Sequence, residues 1–111
     1  MATGYLFHEV FGWHDTGTSV GLLGADPRLG LQPWAHYENA DTKRRIHELV
    51  VVSGLIDRLT RVAPRPVTRE ELLRVHGAAH IDRMRAASDG GGDMGDGGSP
   101  FGPGAYDIAA L

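Results

Sequence analysis

The sequence contains no cysteine, which excludes disulfide bonds, thiolate metal ligands and a thiol nucleophile. No apolar run comes near the roughly 18 residues that a membrane-spanning helix requires. The start, Met1-Ala2-Thr3-Gly4, has neither the basic residues nor the apolar stretch of a secretory leader, so cytoplasm is the expected compartment. Large aromatic side chains are scarce: two Trp, three Tyr and three Phe in 111 residues. A domain of this length buries roughly two thirds of its unfolded surface if it folds alone, and few bulky groups are at hand to close such a core. An excess of positive charge is also missing. The net charge of −3 argues against a general nucleic-acid or anionic-membrane binder.

What the sequence does have is sixteen glycines and six prolines, so much of it must be loop. That balance suits part of a larger α/β domain better than a self-sufficient one. Charge is segregated along the chain: residues 41–88 carry ten Lys or Arg against six Asp or Glu, and residues 89–111 carry four Asp and no cation. The basic middle reads as solvated helix faces.

Tyr5-Leu6-Phe7 is short and wholly apolar and reads as a buried strand. Residues 12–30 hold five glycines and Pro27, which predicts a long loop of the kind that is usually functional or disordered. Asn39 or Asp41 is placed to cap a helix over about 40–59, with Ile46, Leu49, Val50, Ile56 and Leu59 at helical spacing. Pro64 and Pro66 exclude a helix over 61–66 and leave a short edge strand or an extended connector. Thr68 and Glu71 have capping-box spacing, predicting a short helix to about His76 and a second near Ala79–Ala87. Residues 89–104 contain eight glycines with Asp89, Asp93 and Asp96, a composition that a flexible linker shares. An apolar helix start follows at 105–111 and reads as truncated.

Several groupings invite chemistry. His76 and His80 have the i, i+4 spacing of a helical metal pair, but no Glu follows the first His and Gly77 interrupts them. A zinc site also needs a third and usually a fourth ligand, so packing or capping is the expectation for both. His8-Glu9 and His14-Asp15 each set an imidazole beside a carboxylate, and Trp13 supplies an amphipathic ring suited to a pocket lip. Asp93 and Asp96 sit among glycines without the terminal Glu of an EF-hand or the Lys of a phosphate loop. Carboxylates on such a loop suit gripping peptide N–H groups or an ammonium. No Ser–His–Asp constellation can be recognised.

Three stretches, in order and at matching spacing, carry a resemblance: Gly12-Trp13-His14-Asp15-Thr16-Gly17, Asp41-Thr42-Lys43-Arg44-Arg45 followed by His47-Glu48-Leu49-Val50, and Gly92-Asp93-Met94-Gly95-Asp96-Gly97. Together they resemble the N-terminal segment of the bacterial class II histone deacetylase-like amidohydrolases. The resemblance implies an arginase-like α/β fold with a mainly parallel sheet flanked by helices, here truncated. It implies a zinc-dependent hydrolase of acetyl-lysine peptides or acetylpolyamines, with Zn2+ held by two aspartates and a histidine, adjacent histidines activating water and a tyrosine polarising the carbonyl. Those groups lie in runs like Pro-Pro-Gly-His-His and Asp-x-Asp-x-His-His, and neither run occurs here. No catalytic residue and no metal ligand is therefore expected in this segment.

By the same resemblance Asp96 takes the place of a channel-rim aspartate that holds the substrate's backbone amides, with Asp93 as the nearby alternative. Residues 12–23, with Trp13, His14 and Asp15, take the place of a rim loop at the tunnel entrance. Two other functions compete: a non-catalytic module binding lysine-bearing peptides, and a gene fragment with no function alone. Homo-oligomerisation is left open. Alone, the chain is expected to expose apolar surface over Val50–Leu59 and Ile108–Leu111.

Overall fold

Gly4–Tyr5 (β1) and Thr60–Arg61 (β2) lie side by side in a computed structural model that describes residues 2–19 and 23–111. The strands run parallel, with Gly4 opposite Thr60 and Tyr5 opposite Arg61. Thr60 N–H donates to Thr3 O at 3.0 Å and Val62 N–H to Tyr5 O at 2.9 Å, extending the ladder at both ends. Parallel strands cannot be joined by a tight turn, and the crossover here contains a helix, Asp41–Val52 (α1). The chain is thus a small α/β unit.

His47 fixes α1 to β1. Its ring lies flat on Phe7 at 3.7 Å between centroids, and its Nδ1 shares a hydrogen bond with Tyr5 Oη at 3.0 Å. At the start of the helix the Asn39 side chain accepts the Asp41 N–H at 3.0 Å, one residue ahead of the helix's own Ala40 cap. Where one helix over about 40–59 is expected, α1 stops at Val52. Gly54 adopts a left-handed conformation (φ 75°), and a separate 3-10 turn runs Leu55–Arg58.

Thr68 and Glu71 make both capping-box bonds, Glu71 N–H to Thr68 Oγ1 at 3.2 Å and Thr68 N–H to Glu71 Oε2 at 2.8 Å. They open a single turn, Arg69–Leu72 (α2), shorter than the helix to His76 that the spacing predicts. The Arg65 guanidinium forks onto the same carboxylate at 2.9 and 2.6 Å. Arg65 first, and then the Thr68 N–H, lower the Glu71 pKa from 4.5 to about 2. A carboxyl held lower in the fold than in the unfolded chain stabilises the fold fully above its unfolded pKa. That contribution is lost as pH falls from about 4.5 towards about 2. A melting-temperature titration over this window is expected to show the loss in the parent and a flatter profile for Glu71→Gln. The effect is small, because the pair is solvent-exposed.

Arg69 forks onto Asp82 at 2.6 and 3.1 Å and ties α2 to the next helix, Ala78–Asp89 (α3). The last helix, Ala105–Ala109 (α4), packs on α3. Ser88, itself 1% exposed, accepts the Tyr106 N–H at 3.0 Å, so a side chain of α3 satisfies an orphan donor in the first turn of α4.

Among the described residues the buried apolar side chains are only Ile81, Phe101 and Ala105. The accessible surface is 8140 Å², whereas a closed monomer of this mass exposes about 6,000 Å². The radius of gyration is 16.7 Å and the extents are 55 × 36 × 18 Å, against about 13 Å for a compact domain of this length. The molecule is a slab with unfinished faces. Ile46, Leu49 and Val52 of α1 are 59%, 67% and 85% exposed, and Val51 and Leu55 are exposed as well. The bare face thus begins further upstream than Val50, while Ile108 and Leu111 are half-buried. No helix among the described residues is long and apolar enough to cross a membrane.

Candidate functional site

The first candidate loop follows a 3-10 turn at Glu9–Trp13, which the His8 ring caps by accepting the Val10 N–H at 3.1 Å. Asp15 then folds its carboxylate onto the Gly17 N–H at 2.7 Å, and Gly17 is left-handed at φ 70°. The Asp15 carbonyl accepts the Gly102 N–H at 2.8 Å. A Cβ built on Gly102 would stand 3.0 Å from the Asp15 Cβ, so glycine permits this close approach. This first loop is in this way fastened to the far end of the acidic glycine loop, 87 residues on by number. Val20, Gly21 and Leu22, which belong to the segment 12–23 singled out from the sequence, lie outside the described residues.

The glycine loop is a folded turn rather than the flexible linker its composition permits. Asp93 and Phe101 exchange backbone hydrogen bonds at 3.0 and 2.9 Å, closing its neck, and Gly97 N–H reaches Met94 O at 2.9 Å inside it. Gly92 has φ 115°, and a Cβ there would lie 2.2 Å from Phe101 O. A left-handed φ and a backbone clash act together, so Gly92→Ala is expected to destabilise the fold by about 1–3 kcal/mol. A drop in melting temperature for Gly92→Ala, against little change for Gly12→Ala, where a Cβ meets open space, checks this.

Both acidic side chains are exposed and turned into their own loop. Asp93 accepts the Gly95 N–H at 2.7 Å and Asp96 the Gly98 N–H at 3.0 Å. The Gly98 N–H, followed by the Ser99 hydroxyl, holds the Asp96 carboxyl below the usual carboxylate range. Asp96 is therefore an ionised, pre-oriented acceptor at the surface.

Beneath the two loops lies a cavity of about 770 Å³, walled by α3, α4 and the ends of the loops. His14, Thr16 and Ser99 stand on its wall, and Ile81 and Phe101 form its floor. Of the residues singled out from the sequence, His14, His76 and His80 line this hollow, and Asp15 holds the loops together. Trp13 is 76% exposed, away from the cavity lining. Asp93 and Asp96 lie outside the hollow, and Asp96 connects to it through Ser99.

His36 is the residue that sequence reasoning missed. It is 1% exposed and lines the hollow; its Nδ1 lies 3.0 Å from Glu38 O and 3.2 Å from Glu38 N, and its ring stacks on Tyr37 at 4.4 Å. Its Nε2 is buried with no hydrogen-bond partner, as is Ser19 Oγ. The only local signal is a histidine in the otherwise apolar and aromatic run Pro33-Trp34-Ala35-His36-Tyr37.

His76 and His80 do not share a helix. His76 lies between α2 and α3, Gly77 caps α3 with extended backbone (ψ 146°), and His80 is in the first turn. Their ring centroids are 5.4 Å apart, and His80 Nδ1 faces the Arg83 guanidinium at 3.3 Å. Among the described residues no three His, Asp or Glu side chains converge as metal ligands.

No protein-family model matches the chain. In direct comparison it is 43% identical over 98% of its length to a histone deacetylase-like amidohydrolase of Pseudomonas aeruginosa, of which it spans 29%. The identity runs over nearly the whole chain, so nearly the whole chain corresponds to one segment, under a third, of that Pseudomonas histone deacetylase-like amidohydrolase.

Proposed function

We propose that the chain forms the substrate-side wall of a zinc-dependent deacetylase that hydrolyses the amide of acetyl-lysine or acetylpolyamine substrates. The identity over 98% of the chain carries this reading. In the proposed fold, β1 and β2 belong to a mainly parallel, arginase-like sheet whose remaining strands come from sequence outside this segment. Zinc in such an enzyme would polarise the amide carbonyl and lower the pKa of the attacking water. The donors among the described residues do not fit a zinc centre, because no three His, Asp or Glu side chains converge.

What this segment contributes is position. Asp96, ionised and exposed, accepts substrate N–H groups or faces a polyamine ammonium. The bond from Gly102 to Asp15 fixes the spacing between the two loops that frame the entrance, with Trp13 as an exposed aromatic lip and His14 on the inner wall. Holding the scissile group in one orientation supplies several kcal/mol of barrier lowering in well-oriented systems.

The test is a chimera in which this chain replaces the matched segment of the Pseudomonas amidohydrolase. Hydrolysis of an acetyl-lysine peptide or an acetylated polyamine at a rate within about tenfold of the parent is expected. A folded, zinc-loaded chimera without turnover would overturn the reading. The 111 residues alone, supplied with zinc, are expected to give none above blank.

A further inference from the structure

Residues 89–98 comprise three Asp, six Gly and one other residue, Met94. The Met94 carbonyl accepts the Gly97 N–H at 2.9 Å, which closes 94–97 as a four-residue turn, and Gly95, second in it, has φ 61°. That is the pattern of a II′ turn, which needs a residue tolerant of positive φ at its second position and makes no demand for an apolar one at its first. The side chain is not called for by the interior either. Met94 is 45% exposed and belongs neither to the buried apolar groups nor to the lining of the hollow.

Single exposed apolar side chains are common on protein surfaces. This one stands two residues from Asp96 on a turn that the fold holds still. The Asp93–Phe101 exchange closes the neck below it, and a Cβ built on Gly95 would lie 2.6 Å from Ser99 O, so the turn is packed down on its own return strand. Both neighbouring carboxylates fold back onto loop N–H groups, Asp93 at Gly95 and Asp96 at Gly98. A thioether chain is unbranched and polarizable, and it suits contact with aliphatic partners of varying shape. Substrates of the proposed class alternate methylene chains with N–H or ammonium groups. An ionised acceptor and an apolar side chain on one turn match that alternation.

We propose that Met94 is a substrate contact at the entrance, packing on the aliphatic stretch that adjoins the N–H or ammonium group accepted by Asp96. Its role is affinity for the part of the substrate outside the reacting amide. That role rests on the reading of the chain as the substrate-side wall of a deacetylase, so contact and turnover are measured separately.

In the chimera, Met94→Ala is expected to raise KM about three- to tenfold and leave kcat within about twofold, the signature of lost ground-state binding. Met94→Leu keeps the apolar volume and is expected to recover most of the loss, whereas Met94→Gln, of similar length but polar, is not. Each variant is assayed on an acetyl-lysine peptide and on an acetylated polyamine, and the substrate whose KM rises is the one seated against Met94. Independently of turnover, the chimera is isotope-labelled at its methionine methyl groups, stripped of zinc and titrated with the same two compounds. The methyl resonance that Met94→Leu removes is expected to shift saturably with at least one of them. A KM unmoved by Met94→Ala for both substrates would overturn the proposal, as would a Met94 methyl signal unmoved by both compounds. So would an equal fall in kcat for both substrates with a lowered melting temperature, which is what a purely structural side chain would give. A saturable shift in a chimera that hydrolyses neither substrate leaves the contact standing and counts against the deacetylase reading; turnover indifferent to Met94 does the reverse.

Discussion

Asp96→Ala in the chimeric amidohydrolase is expected to lower kcat/KM by roughly ten- to more than a hundredfold. That corresponds to about 1.5–3 kcal/mol, the usual value of a charged acceptor for substrate N–H groups. The geometry makes the comparison with neighbouring variants informative. Asp96 Oδ1 also accepts the Gly98 N–H at 3.0 Å, so alanine removes a loop bond together with the charge. Asparagine keeps an oxygen for Gly98 and loses only the charge, so Asp96→Asn should fall between parent and alanine in kcat/KM while melting like the parent. Asp93 serves its loop in the same way through Gly95 at 2.7 Å, and its backbone closes the neck with Phe101. Asp93→Ala should therefore lower melting temperature more than turnover. His76→Ala and His80→Ala, at residues that line the hollow but belong to neither loop, should lower melting temperature and leave turnover per folded molecule nearly intact. A silent Asp96→Ala beside an inactive, folded His80→Ala would reverse the assignment of these two regions.

Short-range chemistry was legible in the sequence wherever one residue type answers a local need. Thr68 and Glu71 announce the start of α2 because their side chains satisfy each other's backbone donors three residues apart, and both bonds are present. Gly54 was not legible as the end of α1, because a glycine within an apolar helical pattern does not reveal its φ; at 75° it breaks the helix that Leu55–Leu59 would otherwise continue. The pairing of β1 with β2 was hidden because it joins segments more than fifty residues apart with two residues each. In the glycine loop, composition revealed freedom, whereas the Asp93–Phe101 bridge and the close approach of Gly92 to Phe101 O depend on the fold around them. His36 stayed invisible for the same reason: a histidine's burial is set by what packs over it.

The free chain should melt broadly, bind a hydrophobic dye and change apparent size with concentration. Cooperative unfolding needs a core that many elements share, and among the described residues only Ile81, Phe101 and Ala105 are buried apolar groups. The uncovered area, about 2,000 Å² beyond that of a closed monomer, matches what obligate partners bury. Ile46, Leu49 and Val52 form an apolar stripe along α1 that water meets directly, at 59%, 67% and 85% exposure. An exposed apolar stripe of that kind drives association. Polar links such as Arg69 to Asp82 and Arg65 to Glu71 hold neighbouring turns in place but are solvent-exposed, and pairs of this kind contribute about 0–1 kcal/mol each. Adding the complementary portion of the amidohydrolase should sharpen the transition and raise its midpoint by mass action, because the complement binds the folded chain alone. A sharp, concentration-independent melt from a strict monomer would show that the α3–α4 core suffices on its own.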